Sequence, residues 1–227
     1  MNKASSADSN ERVWAGAAVA VGSFGVVLAS IFYALSPVSA ALPVPGVDLD
    51  QALNGMITGR STMVAAGVTG VISDVILIAG MFFLMGFRKS AKLQLENLGW
   101  ALAAVGVVIF IVVDSLSAGV LTQIAALDNA MPVLAGFKLM FDTLFIFGTI
   151  TIGLGTPAIL AGEIKAKSPI LSKPLAWAGI LVSLIGLISS VLYFANIALP
   201  QVIGISIVGV SLIFGIYGIQ LARSKEC

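Results

Sequence analysis

The chain has 227 residues, of which 59% are hydrophobic and 10% are charged, and its mean hydropathy is +1.07. Because about a quarter of the residues in a soluble domain are charged, this composition excludes a water-facing surface over most of the chain. There is no His, and the single Cys is Cys227, which excludes an internal disulfide and a His-ligated haem held by this chain alone. The formal net charge of +1 is less informative than the places where basic residues lie.

Six apolar runs recur along the chain, and each is long enough for one bilayer crossing of about 20 residues. The predicted spans are residues 13–35, 62–87, 98–124, 133–162, 175–198 and 202–221. We therefore predict an all-α fold, a polytopic transmembrane bundle of six helices that forms a single membrane domain over residues 1–227. A signal peptide is the open alternative for the first run, because small residues follow it at 39–41. The run exceeds the usual signal core of about 7–15 residues, which favours a retained span.

The longest connection, residues 36–60, is predicted to lie on the outer side. Pro37, Pro43 and Pro45 predict an extended start, and residues 48–56 predict one short amphipathic helix lying over the bundle. A lid and a simple linker both remain open, and the linker is favoured. The connection between the fifth and sixth spans is only a few residues long, and Pro200 starts the last helix, so these two helices are predicted to be antiparallel neighbours.

Basic residues alternate between connections along the chain. The termini and the connections after the second and fourth spans contain Lys3, Arg12, Arg88, Lys89, Lys92, Lys165, Lys167, Lys173, Arg223 and Lys225. The other connections hold only Arg60. The positive-inside rule therefore predicts that both termini are cytoplasmic, in a plasma (inner) membrane. Trp14, Trp100 and Trp177 fall at the cytoplasmic ends of their spans, where indole prefers to lie.

Four charged residues lie within the predicted spans: Asp74, Asp114, Lys138 and Asp142. Charge inside a bilayer is costly, so these positions are the first candidates for function. Lys138 and Asp142 are four residues apart on one helix and can form an ion pair. For this pair alone we favour mutual neutralisation near the outer interface, with Lys138 reaching water along its stem.

Depth along the helices predicts that several of these residues meet. Counted from the tryptophan at the start of each helix, Asp114, Tyr193 and Asn196 lie about 20, 24 and 29 Å along their spans. Asp142 lies about 30 Å from the cytoplasmic end of its span. We therefore predict one polar pocket in the outer half of the bundle, formed by these residues together with Lys138.

Asp74 is predicted to lie near mid-membrane among hydroxyl side chains. The candidate partners are Thr149, Thr151, Ser189, Ser190 and Ser211. The spans contain three carboxylates and one ammonium group. The extra negative charge can be balanced by a bound proton, a small cation or an amine, and it disfavours an anion. The alternative, that Asp74 and Asp114 are protonated residues that only fix helix packing, remains equally open.

Glycine is frequent in the spans and favours close helix contact. Pro157 removes one helix hydrogen bond and predicts a kink in the fourth span, for which a static bend is favoured over a gating hinge. Asp74 and Gly80 have the same spacing as Asp142 and Gly148. This repeated spacing is consistent with a duplication in which spans two and three form one hairpin and spans four and five form its copy, although chance similarity is favoured.

Residues 141–148, 153–155 and 171–179 combine an Asp with aromatic residues and glycines, followed by a basic loop and a Leu/Trp/Gly helix start. This pattern resembles a bacterial family of six-span membrane proteins known as domain of unknown function four-three-eight-six. The likeness covers mainly the second half of the chain. In the third span, where we expect a charged pair from the family, the chain has only Asp114. The resemblance implies the six-span fold and no activity.

Two functional classes are favoured by these observations. One is a protein that binds or transports a proton, a cation or a small amphiphile, and the other is a non-catalytic structural or accessory subunit of a larger membrane complex. An intramembrane enzyme is the least favoured class, since there is no His and no span contains a Cys nucleophile. We expect membrane lipid as the partner, with other membrane subunits or a homo-oligomer left open. No cofactor, metal or nucleic acid is expected.

Overall fold

The computed structural model describes residues 4–87, 94–127, 130–166, 168–197 and 199–224. All regular structure in these ranges is helical. The helices are α1 (Ala4–Ala34), α2 (Val38–Ala41), α3 (Leu49–Thr58), α4 (Arg60–Phe87), α5 (Gln94–Ser115), α6 (Thr122–Ile124), α7 (Met131–Lys165), α8 (Lys173–Tyr193) and α9 (Pro200–Arg223). A π-helical segment, Leu116–Leu121, joins α5 to α6 and is called the π-segment below.

Six helical stretches are long and apolar enough to cross a membrane, which confirms the predicted number of spans. They are α1, α4, the continuous α5–α6 stretch, α7, α8 and α9. A helix satisfies its own backbone polar groups, and this is why apolar runs of such length become helices in lipid. The 35 residues of α7 extend over about 50 Å, which exceeds the hydrocarbon thickness of about 30 Å.

The fifth span ends earlier than predicted. Helix α8 stops at Tyr193 and a turn follows, in which Asn196 adopts a φ of 59°. The chain must reverse within a few residues before Pro200 begins α9, and Asn tolerates the left-handed conformation that such a turn requires. Residue 198, the predicted end of the span, lies outside the described residues.

The six spans form a closed ring in the order α1, α4, α5, α7, α8, α9 and back to α1. Helices α8 and α9 are neighbours, as predicted. Gly16 near the start of α1 lies against Gly218 and Ala222 near the end of α9, so the two chain termini are at the same end of the ring. We call this the terminal end, and we call the opposite end, which carries residues 36–60, the loop end.

Each contact in this ring contains a glycine that has no room for a side chain. Gly99 of α5 and Gly155 of α7 face each other, and a Cβ atom on Gly99 would lie 2.8 Å from the Gly155 carbonyl oxygen. The glycines at the other contacts are Gly16, Gly22, Gly25, Gly67, Gly70, Gly80, Gly153, Gly179, Gly186, Gly209 and Gly218. Lipid supplies no hydrophobic driving force between helices, so close backbone approach of this kind is what favours their association.

A cluster of buried apolar residues fills the ring near its terminal end. At its centre the ring of Trp100 lies 5.5 Å from that of Phe214 and 5.7 Å from that of Tyr217, between centroids. Trp14 and Trp177 are exposed on the outside of the bundle, whereas Trp100 is fully buried. The prediction that all three tryptophans face the membrane interface is therefore wrong for Trp100. Position along a helix does not say which way a side chain points, and here the indole fills the space between helices.

Residues 36–60 pack on the loop end of the ring. The predicted short helix is confirmed as α3, and the side chain of Asp48 caps it by accepting hydrogen bonds from the backbone N–H groups of Asp50 (2.9 Å) and Gln51 (3.4 Å). The predicted extended start holds at Pro37 itself, which has a ψ of 129°, but it is wrong for Val38–Ala41, which form the helical turn α2. Ala40, Ala41, Ala52 and Met56 of this segment are fully buried.

Candidate functional site

A cavity of about 80 Å³ lies inside the ring and is lined by all six spans. Most of its lining is aliphatic or aromatic. The polar lining residues are Ser23, Ser30, Tyr33, Asp74, Asp114, Thr149, Ser183, Ser206 and Ser211. An apolar cavity with a few convergent polar groups is the usual form of a small-molecule site.

Two aspartates from neighbouring helices meet in this cavity. Asp74 of α4 is 3% exposed and Asp114 of α5 is 5% exposed, and their carboxyl groups are close enough to interact with each other. The Tyr33 hydroxyl of α1 donates a hydrogen bond of 2.7 Å to Asp114 Oδ1. Gly70, one turn before Asp74, makes room for this arrangement, because any Cβ atom there would overlap the Asp114 carboxyl group. We call Asp74 and Asp114 the acidic pair.

The acidic pair lies well inside the membrane-spanning length of the ring. Asp74 is about 20 Å from either end of α4, at 1.5 Å per residue. Asp114 is in the last turn of α5, directly before the π-segment, and π-helical turns often occur at functional sites. Ser117 of the π-segment donates a hydrogen bond of 3.2 Å to the carbonyl oxygen of Met63 in α4. The irregular turn is therefore fixed to the helix that carries Asp74.

Two polar atoms in the cavity lining have no hydrogen-bond partner. These are Asp74 Oδ2 and Ser23 Oγ, and both are buried. In the described part of the chain, no Lys or Arg forms a salt bridge with either member of the acidic pair. A buried acceptor without a partner costs about 1–3 kcal/mol, and more if it is charged. The cavity therefore offers an acceptor that a ligand could satisfy.

The hydroxyl partners predicted for Asp74 are not its partners in the structure. Thr149 and Ser211 line the same cavity, but Thr149 donates to the Phe145 carbonyl oxygen of its own helix, and Asp74 Oδ2 has no hydrogen-bond partner. Thr151 bonds to carbonyl groups of its own helix. The other two predicted partners, Ser189 and Ser190, are buried in α8 but do not line the cavity. Hydroxyls in helices commonly bond to the preceding turn, which removes them from competition for the carboxyl group.

Lys138 and Asp142 form a second buried polar site, next to residues 36–60. The Lys138 Nζ atom lies 2.5 Å from Asp142 Oδ1 and donates a second hydrogen bond of 3.0 Å to the Leu42 carbonyl oxygen. The predicted ion pair is confirmed, but Lys138 is only 1% exposed and does not reach water. The Leu42 carbonyl oxygen accepts the hydrogen bond that water was expected to accept.

The predicted single outer pocket is therefore wrong, because the structure divides it into two sites. Asp114 joins Asp74 in the cavity, whereas Lys138 and Asp142 do not line the cavity. Tyr193 is partly buried and close enough to interact electrostatically with Asp142, and Asn196 is exposed in the turn after α8. Depth along a helix places residues at one level, but it does not decide which of them face each other. The echo in spacing between spans two and four likewise does not place Asp142 in an environment like that of Asp74.

Pro157 lies inside α7, and the helix continues past it to Lys165. Because proline has no N–H group, the Gly153 carbonyl one turn earlier loses its usual helix donor. The Ser183 hydroxyl of α8 donates a hydrogen bond of 3.1 Å to that carbonyl oxygen. A neighbouring helix thus satisfies the acceptor that proline leaves open, as is common in membrane helices. The predicted kink at Pro157, as a static bend or as a hinge, stays a prediction.

Sequence reasoning missed three groups that the structure makes prominent. Tyr33 is the donor to the acidic pair, and a depth count on the first span could have found it. Glu96 and Glu163 are buried near the terminal end, where Glu163 Oε2 accepts a hydrogen bond of 2.8 Å from the backbone of Ile170. Both glutamates lie near helix ends, so their positions in the chain did not predict burial inside the bundle.

Comparison of the chain with protein-family models, with curated proteins and with solved structures found no match. The resemblance to the bacterial six-span family therefore stays a prediction. The functional argument depends on the geometry of the site alone.

Proposed function

We propose that this chain binds a small amphiphilic cation in the cavity between its six spans and carries it across the membrane. The observation that supports this proposal is the buried Asp74 Oδ2 atom, which has no hydrogen-bond partner and lies in a cavity with mostly apolar walls. The apolar part of an amphiphile would contact these walls. Its positively charged group would lie next to the acidic pair, where opposite charges attract strongly in surroundings of low polarity.

The charges of the two polar sites favour a cation over other ligands. The one ammonium group buried in the described spans, that of Lys138, is paired with Asp142, so the acidic pair has no counter-charge from it. An anion would be repelled there. Among the residues that the structure describes, no three His, Cys, Asp or Glu side chains are grouped as a metal ion would require, which favours an organic cation over a metal.

The orientation in the membrane is part of this proposal. Arg12, Lys165, Lys173 and Arg223 belong to the terminal end, whereas Arg60 is at the loop end. The positive-inside rule then favours a cytoplasmic terminal end in a plasma (inner) membrane. The other basic residues used for the prediction, Lys3, Arg88, Lys89, Lys92, Lys167 and Lys225, lie outside the described residues.

A structural or accessory subunit is the other class that the sequence left open. Such a role would use outward-facing glycines to pack against another membrane protein. In the described helices most glycines instead face a neighbouring span of the same ring, as Gly99 and Gly155 do. This use of glycine inside the ring favours a self-contained bundle with its own cavity.

The proposal is tested by binding of two probes that have the same shape and different charge. Benzyltrimethylammonium is a permanent cation, and neopentylbenzene is its uncharged carbon isostere. We expect the full chain in lipid nanodiscs to bind the cation more tightly than the isostere, after subtraction of binding to empty discs. The substitution Asp74→Asn is expected to weaken cation binding by about tenfold or more, since each tenfold corresponds to about 1.4 kcal/mol.

The exposed carboxylate of Asp50 provides the matched control, since it lies in α3 outside the cavity. Asp50→Asn is expected to leave cation affinity unchanged. The proposal fails if the cation and its isostere bind equally well, or if Asp74→Asn binds the cation as well as the unmodified protein does. Uptake of the radiolabelled cation into proteoliposomes then tests the transport step.

A further inference from the structure

Two buried carboxyl groups that lie next to each other without a cation imply a proton. Asp74 and Asp114 line the same cavity, the Asp114 carboxyl group lies against Gly70, one turn before Asp74, and no Lys or Arg among the described residues forms a salt bridge with either aspartate. Two adjacent carboxylates repel each other when both are ionised, and the neutral Tyr33 hydroxyl, which donates to Asp114 Oδ1 at 2.7 Å, does not offset the second charge. The acidic pair is therefore expected to share one proton, as other buried carboxylate pairs do.

The surroundings of the acidic pair contain no other group that would change its charge. Tyr33 of α1 is the one further titratable side chain among the described residues that line the cavity. The hydroxyls that face the cavity from α7, α8 and α9 include those of Thr149, Ser183 and Ser211, and they are neutral. With one proton, the acidic pair has a net charge of minus one.

We propose that a cation entering the cavity displaces the shared proton of the acidic pair, so that each binding event exchanges one cation for one proton. This inference rests on the proposed function and specifies its coupling. The O–H bond on the acidic pair breaks, the proton leaves to water, and both carboxylates then face the cation. Before the exchange the site has a charge of minus one, and afterwards two carboxylates and one cation again sum to minus one. An exchange that leaves the charge of a buried site unchanged avoids the cost of creating new charge there.

The exchange is measured by calorimetric titration of the full chain in nanodiscs with benzyltrimethylammonium. This probe cannot gain or lose a proton, so any proton released on binding comes from the protein. Titrations in buffers that differ in ionisation enthalpy are expected to show release of about one proton per cation bound, by linkage between the two binding events. In the pH range where the acidic pair holds its proton, cation affinity is expected to rise about tenfold per pH unit.

A variant separates the shared proton from binding itself. In Asp114→Asn the introduced amide supplies the hydrogen that the shared proton supplied, so Asp74 stays ionised and can bind the cation without releasing a proton. We expect measurable cation binding with almost no proton release. If this variant releases as many protons as the unmodified protein does, the proton is not held by the acidic pair and the inference is overturned.

Infrared spectroscopy gives a second measurement that needs no variant. A protonated carboxyl group has its own carbonyl stretching band, and saturation with benzyltrimethylammonium is expected to remove intensity from that band. Cation binding with neither proton release nor a change in this band would overturn the exchange and leave the proposed function standing. No preference for the cation over neopentylbenzene would overturn the proposed function, and the exchange with it.

Discussion

The bundle contains two buried pairs of polar residues that differ in how their charges are balanced. Lys138 and Asp142 lie one turn apart on α7, and the pair contains its own cation, which also donates a hydrogen bond to the Leu42 carbonyl oxygen. Asp74 and Asp114 come from different helices, contain no cation, and leave Asp74 Oδ2 without a partner. Both pairs are almost completely buried.

Since both pairs are buried, burial alone does not distinguish a structural charge from a functional one. A buried charge that the chain itself neutralises contributes to the integrity of the fold, because removing one partner exposes the full cost of burying the other. A buried acidic pair for which the chain supplies no cation has a free-energy cost of burial that only an added proton or ligand can offset. We therefore infer that Lys138 and Asp142, called the loop-end pair below, contribute to stability, and that the acidic pair has the proposed binding role.

The largest expected effect is on stability, at the loop-end pair. Lys138→Met leaves the Asp142 carboxylate buried without its cation, and removing one partner of a buried pair costs about 3–5 kcal/mol. We expect a loss of this size in the free energy of unfolding, measured by reversible denaturation in mixed micelles. The double substitution Lys138→Met/Asp142→Leu removes both charges and is expected to recover most of the loss.

The same measurement of unfolding free energy on the acidic pair provides the contrast. Asp74→Asn keeps the shape of the side chain and introduces an amide that can donate to Asp114, so the free energy of unfolding is expected to change by less than about 1 kcal/mol. If Asp74→Asn costs as much stability as Lys138→Met does, the distinction between a structural and a binding pair is lost.

An intermediate effect is expected at the glycine that makes room for the acidic pair. In Gly70→Ala the added methyl group overlaps the Asp114 carboxyl group, and overpacking of this kind costs about 1–3 kcal/mol. We expect this loss of stability together with weaker binding of benzyltrimethylammonium. Gly204→Ala is the matched control, because a Cβ atom at Gly204 meets open space; stability there is expected to stay the same or to rise slightly. Equal effects of the two substitutions would contradict the packing described for the acidic pair.

The smallest effects are expected at two buried serines of the cavity lining, and they have opposite signs. Ser183→Ala removes the donor to the Gly153 carbonyl and is expected to lower the free energy of unfolding by about 0.5–1.5 kcal/mol. Ser23→Ala removes a buried hydroxyl that has no partner and is expected to leave stability unchanged or to raise it by up to about 1 kcal/mol. A clear loss of stability in Ser23→Ala would show that this hydroxyl is already satisfied, and the cavity would then have one fewer open polar group.

Much of the fold was predictable from the sequence, and the reason is the solvent. Hydropathy over about 20 residues locates spans because lipid excludes any backbone that does not satisfy its own hydrogen bonds, and the six spans follow from that rule. The short helix after Asp48 could also be predicted, since an Asp at a helix start caps free N–H groups. The helical turn after Pro37 could not, because proline suits both an extended segment and a helix start.

The site was predictable only in part. The sequence marks Asp74, Asp114, Lys138 and Asp142 as unusual, because charge is rare inside spans, and it pairs Lys138 with Asp142 because they are one turn apart on a helix. It assigned Asp114 to the wrong neighbours, since three of these residues lie at similar depths and only the packing of helices selects among them.

The number of helices that are long and apolar enough to cross a membrane, and the charged residues within them, could be predicted from the sequence, because both follow from local composition and from the rise of a helix. The order of the helices in the ring, the meeting of Asp74 with Asp114 next to Gly70, and the hydrogen bond from the buried Lys138 to Leu42 depend on the tertiary structure. These contacts join residues that are far apart in the chain, and in lipid they depend on how closely particular backbones can approach.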